Sequence, residues 1–177
     1  MSANEELEEH AHHAKEPFDR QVAVTMAIIA ALLATVAVGA HIYANEELLL
    51  QQKASDQWAY YQAKSDRRYA SDIARDLAGS AELKEKYAKN TEKYEKEGEE
   101  IQSEARKLEQ ESELKGRQSL RMETGQVFLE IGIVFASLAI LTKRPLIWIV
   151  SVVSACVGVL VAVTSEFPDW PGIVFRN

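Results

Sequence analysis

Glu130 is the residue of this chain whose surroundings most demand a chemical reason. It stands in the run Val127 to Thr142, which is otherwise almost wholly apolar. A carboxylate in a membrane-spanning run faces a bundle interior, and in many proteins it marks an ion or proton path. His41, near the end of the run Val22 to Ala44, lies close to the same expected membrane edge and is within reach of an imidazole–carboxylate contact. The plainer reading is that Glu130 is protonated, or hydrogen-bonded to a neighbour, and specifies helix packing.

Other chemistry-bearing residues have plainer readings too. His10, His12 and His13 have metal-binding side chains, but they sit among glutamates in a segment with little power to fold, and a closed site needs about four fixed ligands. They read as a solvated tail. Trp58, Tyr60 and Tyr61 are unusual within a polar segment and have the flat faces that stack on a ligand. Trp58 and Tyr60 diverge by about 200° around a helix, so the group cannot serve one two-helix seam. Part of it is expected to meet another protein chain. There is no nucleophile–base pair, phosphate-cradling glycine loop or CxxC spacing, so no enzyme, cofactor or metal is expected. Cys156 is the only cysteine and reads as a small apolar residue.

The elements that position these residues follow from how apolar and charged residues alternate. Three apolar runs, Val22 to Ala44, Val127 to Thr142 and Leu146 to Thr164, share a chain of 177 residues. A helix needs about 20 apolar residues to cross the ~30 Å of hydrocarbon. The middle run reaches that length only by including Thr124 to Gln126. The first run follows acidic rather than basic residues and is long for a leader, so it reads as an uncleaved signal anchor. Gly39 and Gly158 stand apart, with no GxxxG pair in their runs. Residues 45–123 hold 18 acidic and 15 basic side chains, and residues 1–20 hold 6 and 2. No concentrated basic face is present, which argues against nucleic acid as a partner.

Three spans put the N-terminus and the turn Thr142-Lys143-Arg144-Pro145 on one side of the bilayer. The cations of that short turn, with Lys15 and Arg20, favour the cytoplasmic side, and long loops weigh less in this rule. The charged segment is then periplasmic. Tyr43, Trp148 and Trp170 fit the membrane edges, and the proline-rich tail after Phe167 fits the surface.

The charged segment has no proline and is rich in helix formers. Ala78-Gly79-Ser80-Ala81 should break it, with Gly79 as a C-terminal cap and Ser80 as an N-cap. After the break, Tyr87, Tyr94, Ile101, Leu108, Lys115 and Met122 recur every seven residues. Thr91, Gly98, Ala105, Ser112 and Ser119 follow four residues after the first five. Large and small seam positions of this kind suit two closely packed helices. On the first arm Ala54, Trp58, Tyr61, Ser65, Tyr69 and Ile73 form the expected stripe. Folding about Gly79-Ser80 sets Trp58 near Ile101, Tyr61 near Gly98, Ser65 near Tyr94 and Ala54 near Ala105. The second arm is longer by about 12 Å, which favours a bend near Gly116 along the membrane surface.

The stretch Leu48 to Ser65, and above all Ala-Ser-Asp-Gln-Trp-Ala-Tyr-Tyr-Gln-Ala-Lys-Ser at its C-terminal end, resembles a bacterial membrane family known as domain of unknown function 4337. The order of acidic tail, single span, charged helices and two closing spans is similar over nearly the whole chain. The resemblance implies bacterial origin and membrane location, and no catalytic residues.

The expected fold is an all-α membrane protein with three transmembrane helices and a long extramembrane, coiled-coil-like antiparallel helical hairpin. Its parts are a disordered acidic tail (1–20), a first span (21–44), the hairpin (45–123, turning near 78–81), two further spans (124–142 and 145–165) and an interfacial tail (166–177). The expected role is an oligomeric scaffold or accessory subunit of the bacterial inner membrane. It would be a homo-oligomer or part of a larger membrane complex, with Trp58, Tyr60, Tyr61, Tyr94, Ile101 and Leu108 at the contacts. The alternative is an ion or proton channel, or a transport component, with Glu130 lining the path.

Overall fold

The computed structural model describes residues 17–166. Among them are three α-helices, α1 (Pro17–Leu77), α2 (Ala81–Thr142) and α3 (Pro145–Val163), then a 3-10 turn, Thr164–Glu166, and no strand. Each helix contains a stretch long and apolar enough to cross a membrane. Neither α1 after Pro17 nor α2 contains a proline. Each therefore runs unbroken from apolar into charged composition, and Gly116 lies inside α2. His10, His12, His13 and Trp170 lie outside the described residues, as do 1–16 of the acidic tail and 167–177 of the C-terminal tail.

Two short corners separate the helices. At the first, Ser80 caps α2 as its type and position predict: its Oγ accepts from the Leu83 N–H at 3.3 Å. Gly79 does not act as the expected left-handed cap, because its φ is not positive. The last turn of α1 is instead tightened by the Ala78 N–H donating to the Arg75 carbonyl at 3.2 Å. At the second corner Lys143 takes the left-handed conformation, with φ 54°. Arg144 is extended, as a residue before proline must be, and Pro145 opens α3.

The described chain divides into two compact units. One gathers the residues up to Tyr43 and those from Arg117 onward; the other is Ala44–Gly116. In the first unit, Val22 and Ile29 of α1, seven residues apart, are fully buried along with Leu129 of α2. Ile29 and Leu129 cluster with Ala155 of α3. Contact between α2 and α3 depends on missing side chains. A Cβ on Gly125 would lie 2.6 Å from the Gly158 carbonyl oxygen, and one on Gly158 would lie 2.7 Å from that of Gly125. Ser151, Ala155, Gly158 and Ala162 line the α3 side of this seam, all buried. Ser151 and Ser154 donate to the carbonyls of Gly132 and Phe128 at 2.7 and 2.8 Å. Gly125 and Gly132, seven apart on α2, are the glycine pair that a search for GxxxG passes over.

Polar contacts close both ends of this unit. At one end Lys143 pairs with Asp19, and the Trp148 indole donates to Thr25 Oγ1 at 3.3 Å. At the other, Tyr43 donates to Glu166 at 2.7 Å and Arg121 donates to the Thr164 carbonyl at 2.8 Å. Arg121 on α2 and Lys143, the residue just past its end, are 22 residues apart, which is about 33 Å along the helix axis.

Candidate functional site

The second unit is held by contacts whose residue numbers fall on α2 as they rise on α1. Lys115 pairs with Glu46 at 2.7 Å, and the Ser112 hydroxyl donates to the Glu47 carbonyl at 3.2 Å. The Trp58 indole donates to Glu109 at 2.8 Å. Farther along, Lys64 meets Glu97, Arg68 meets Glu95 at 3.1 Å, and Thr91 donates to Asp72 at 3.1 Å. Tyr61 lies against Gly98, where an added Cβ would come 3.6 Å from the ring. This is the Tyr61–Gly98 pairing that the large–small pattern predicts.

Lys64 is the centre of this unit. Only 9% exposed, it places Nζ 2.6 Å from Glu97 Oε2 and 5.2 and 5.6 Å from the ring centroids of Tyr60 and Tyr94. Its four-carbon stem buries while the ammonium stays paired with charge and ring faces. The Glu97 hydrogen bond raises the Lys64 pKa above its ordinary 10.5, and the same bond lowers that of Glu97 below 4.5.

The stripe expected on α1 is therefore corrected. Ala54 and Lys64 are buried, Ser71 is 8% exposed, and Tyr61 and Arg68 are half-buried. Tyr69 and Ile73, expected in the seam, are instead 56% and 60% exposed. They form an outward row with Leu77, which is 80% exposed, and Tyr60 is exposed as well. A seam of seven-residue steps drifts away from a row of four-residue steps within three turns.

The remaining predicted contact residues are distributed as follows. Ile101 is buried within the chain, and Tyr94 and Leu108 are half-buried. Trp58 is half-buried and meets Tyr61 edge to face, with centroids 5.7 Å apart at 90°. Open grooves flank it, one toward Gln51, Ser55 and Glu113 and the other toward Ala59 and Gln62. In the first unit, Glu130 and His41 are both exposed, and no hydrogen bond or ion pair joins them. Their depths explain this. Met122 packs against Gly39; Glu130 is eight residues beyond Met122, and His41 is two beyond Gly39 in the opposite direction. The axial gap is about 15 Å. Among the described residues no cluster of three or more histidine, cysteine or acidic side chains is placed to hold a metal.

What this arrangement offers chemically is a contact surface: an exposed row of Tyr69, Ile73 and Leu77 beside a seam that holds Lys64 and Ser71 together with Ala54, Ile101 and Ala105. No curated protein and no solved structure matches the chain. A family profile does match residues 18–167, which covers all three helices, and the chain thus belongs to the family described as Domain of unknown function (DUF4337).

Proposed function

We propose that this is a multi-pass protein of the bacterial inner membrane that serves as an oligomeric scaffold or accessory subunit. In this reading the apolar parts of α1, α2 and α3 are its spans. The ~33 Å between Arg121 and Lys143 along the α2 axis and its following residue suits the ~30 Å thickness of hydrocarbon. Lys143, Arg144 and Arg20 favour a cytoplasmic N-terminus, with the charged antiparallel hairpin in the periplasm.

One observation carries the scaffold reading: the second unit has a row of exposed apolar side chains along α1. It buries Lys64 and Ser71 while Tyr69, Ile73 and Leu77 face outward. A helix pair meant only for water would turn such a row into its seam. Contiguous exposed apolar surface rimmed by charge marks an interaction face. The test is Tyr69→Ser, Ile73→Ser and Leu77→Ser combined, with mass measured in nanodiscs. The variant should keep its helicity and associate at least tenfold more weakly than the wild type. An assembly of unchanged mass would end the assignment of this face.

Glu130 favours a second reading, a conducting assembly, because it is exposed amid Val127, Ile131 and Val134. Equal, negligible ion flux from liposomes holding wild type or Glu130→Gln would exclude it.

A further inference from the structure

Glu130 does not stand alone on α2. Gln126 Nε2 donates to Glu130 Oε1 at 3.0 Å. That bond uses one of two amide N–H groups and one of two carboxylate oxygens. No other hydrogen bond to either side chain occurs among the described residues. Each chain is left with one spare amide N–H on Gln126 and with two oxygens, Glu130 Oε2 and the Gln126 amide oxygen, that accept no hydrogen bond. They lie on a stripe of exposed apolar residues, Val127, Ile131 and Val134. Glu130 is nine residues from Arg121 and thirteen from Lys143, or about 13 and 20 Å along the helix. In the membrane reading, neither headgroup layer reaches it.

We propose that Gln126 and Glu130 form a self-association site within the membrane, and that its occupant is the same pair on a second copy of this chain. This rests on the membrane reading above. Copies inserted in one orientation carry the same residue at the same depth, so a two-fold axis along the bilayer normal sets the pair opposite itself. The spare N–H of each Gln126 then donates to the spare oxygen of Glu130 on the other copy. Each carboxylate receives two amide N–H groups, which offsets the repulsion between the two and removes both from lipid. Every amide N–H of the two pairs then has a carboxylate oxygen as its acceptor, with no third component. Val127, Ile131 and Val134, spaced three and four apart, close around the clasp as a packing ridge.

The experiment uses full-length protein in liposomes, with Cys156→Ser as background and Val127→Cys as reporter. Oxidation should link two copies through Val127→Cys. Adding Gln126→Leu with Glu130→Leu should lower the dimer yield about tenfold, a loss of about 1.4 kcal/mol of association. Glu130→Gln, which can still bond, should retain the link. Gln126→Ala, which keeps the carboxylate, should lower the yield and serves as a second variant if the double change fails to fold. A link unaffected by these changes would overturn the clasp, as would ion flux that depends on Glu130 without a link. An Ile73→Cys reporter separates the two readings. If it links while Val127→Cys does not, the clasp is wrong and the scaffold stands. If neither links and the wild type is monomeric, the oligomer itself is wrong.

Discussion

The two units solve the same packing problem with opposite chemistry. Along α1 the positions Val22, Ile29 and Val36 follow one seven-residue step, and Leu50, Gln57, Lys64 and Ser71 continue it. In the first unit that step delivers aliphatic side chains, and the adjoining α2–α3 seam is glycine against backbone. In the second it delivers a lysine held by a carboxylate and two tyrosines. The spacing fixes which residues face inward; the surrounding medium decides what those residues can be. In the proposed membrane setting, burying apolar surface against lipid gains nothing, so close contact between backbones does the work. In water an ion pair with long stems and ring faces can fill the same place.

Breaking the glycine seam should have the largest effect. Gly158→Leu places atoms into the Gly125 carbonyl, and rigid backbone cannot yield as a side chain would. The first unit should lose about 3 kcal/mol or more. Denaturation in mild detergent should register this loss, while the helicity of residues 44–116 persists. Equal loss from both units would mean that they do not differ in the way described.

A middle-sized effect should follow pH, and only in the second unit. Glu97 has a folded pKa below its ordinary 4.5, so its contribution is full above that value and fades as pH falls through the folded value. Lys64 is raised above 10.5, so its contribution is full below that value and is lost as pH rises through the folded one. Thermal melts should show a plateau between these limits and a fall on the acid side, which Glu97→Gln flattens. A wild type and variant with parallel acid limbs would show that the Lys64–Glu97 contact matters little. The smallest effect is expected from Trp58→Phe. It removes the indole bond to Glu109 but keeps much of the ring contact with Tyr61. About 0.5–1 kcal/mol should be lost, measurable by urea unfolding of the second unit.

Much of the helical order was legible in the chain, because apolar run length and helix breakers are local signals. Ser80 and the small residue Gly98 could be placed from type and spacing alone. The inward turn of Lys64 could not, since its burial depends on Glu97, thirty-three residues away, and on rings from both helices. Gly125 and Gly132 were visible as a seven-residue pair. Their meaning needed the four- and three-residue steps of Ser151, Ala155, Gly158 and Ala162 beside them. The separation of His41 from Glu130 is not legible in the runs themselves, because the ends of the two apolar runs do not lie at one level: Met122 packs on Gly39.

The corner between α2 and α3 has a mechanical consequence. Only Lys143 and Arg144 separate the two helices, and Lys143 occupies a conformation that most side chains avoid. Such a link has no slack. With Gly125 against Gly158 farther along, α3 cannot slide or roll on α2 without straining either the corner or the seam. α1 meets α2 in the same unit through side chains, which can change rotamer. The internal motion this unit permits most readily is thus that of α1 against a two-helix block.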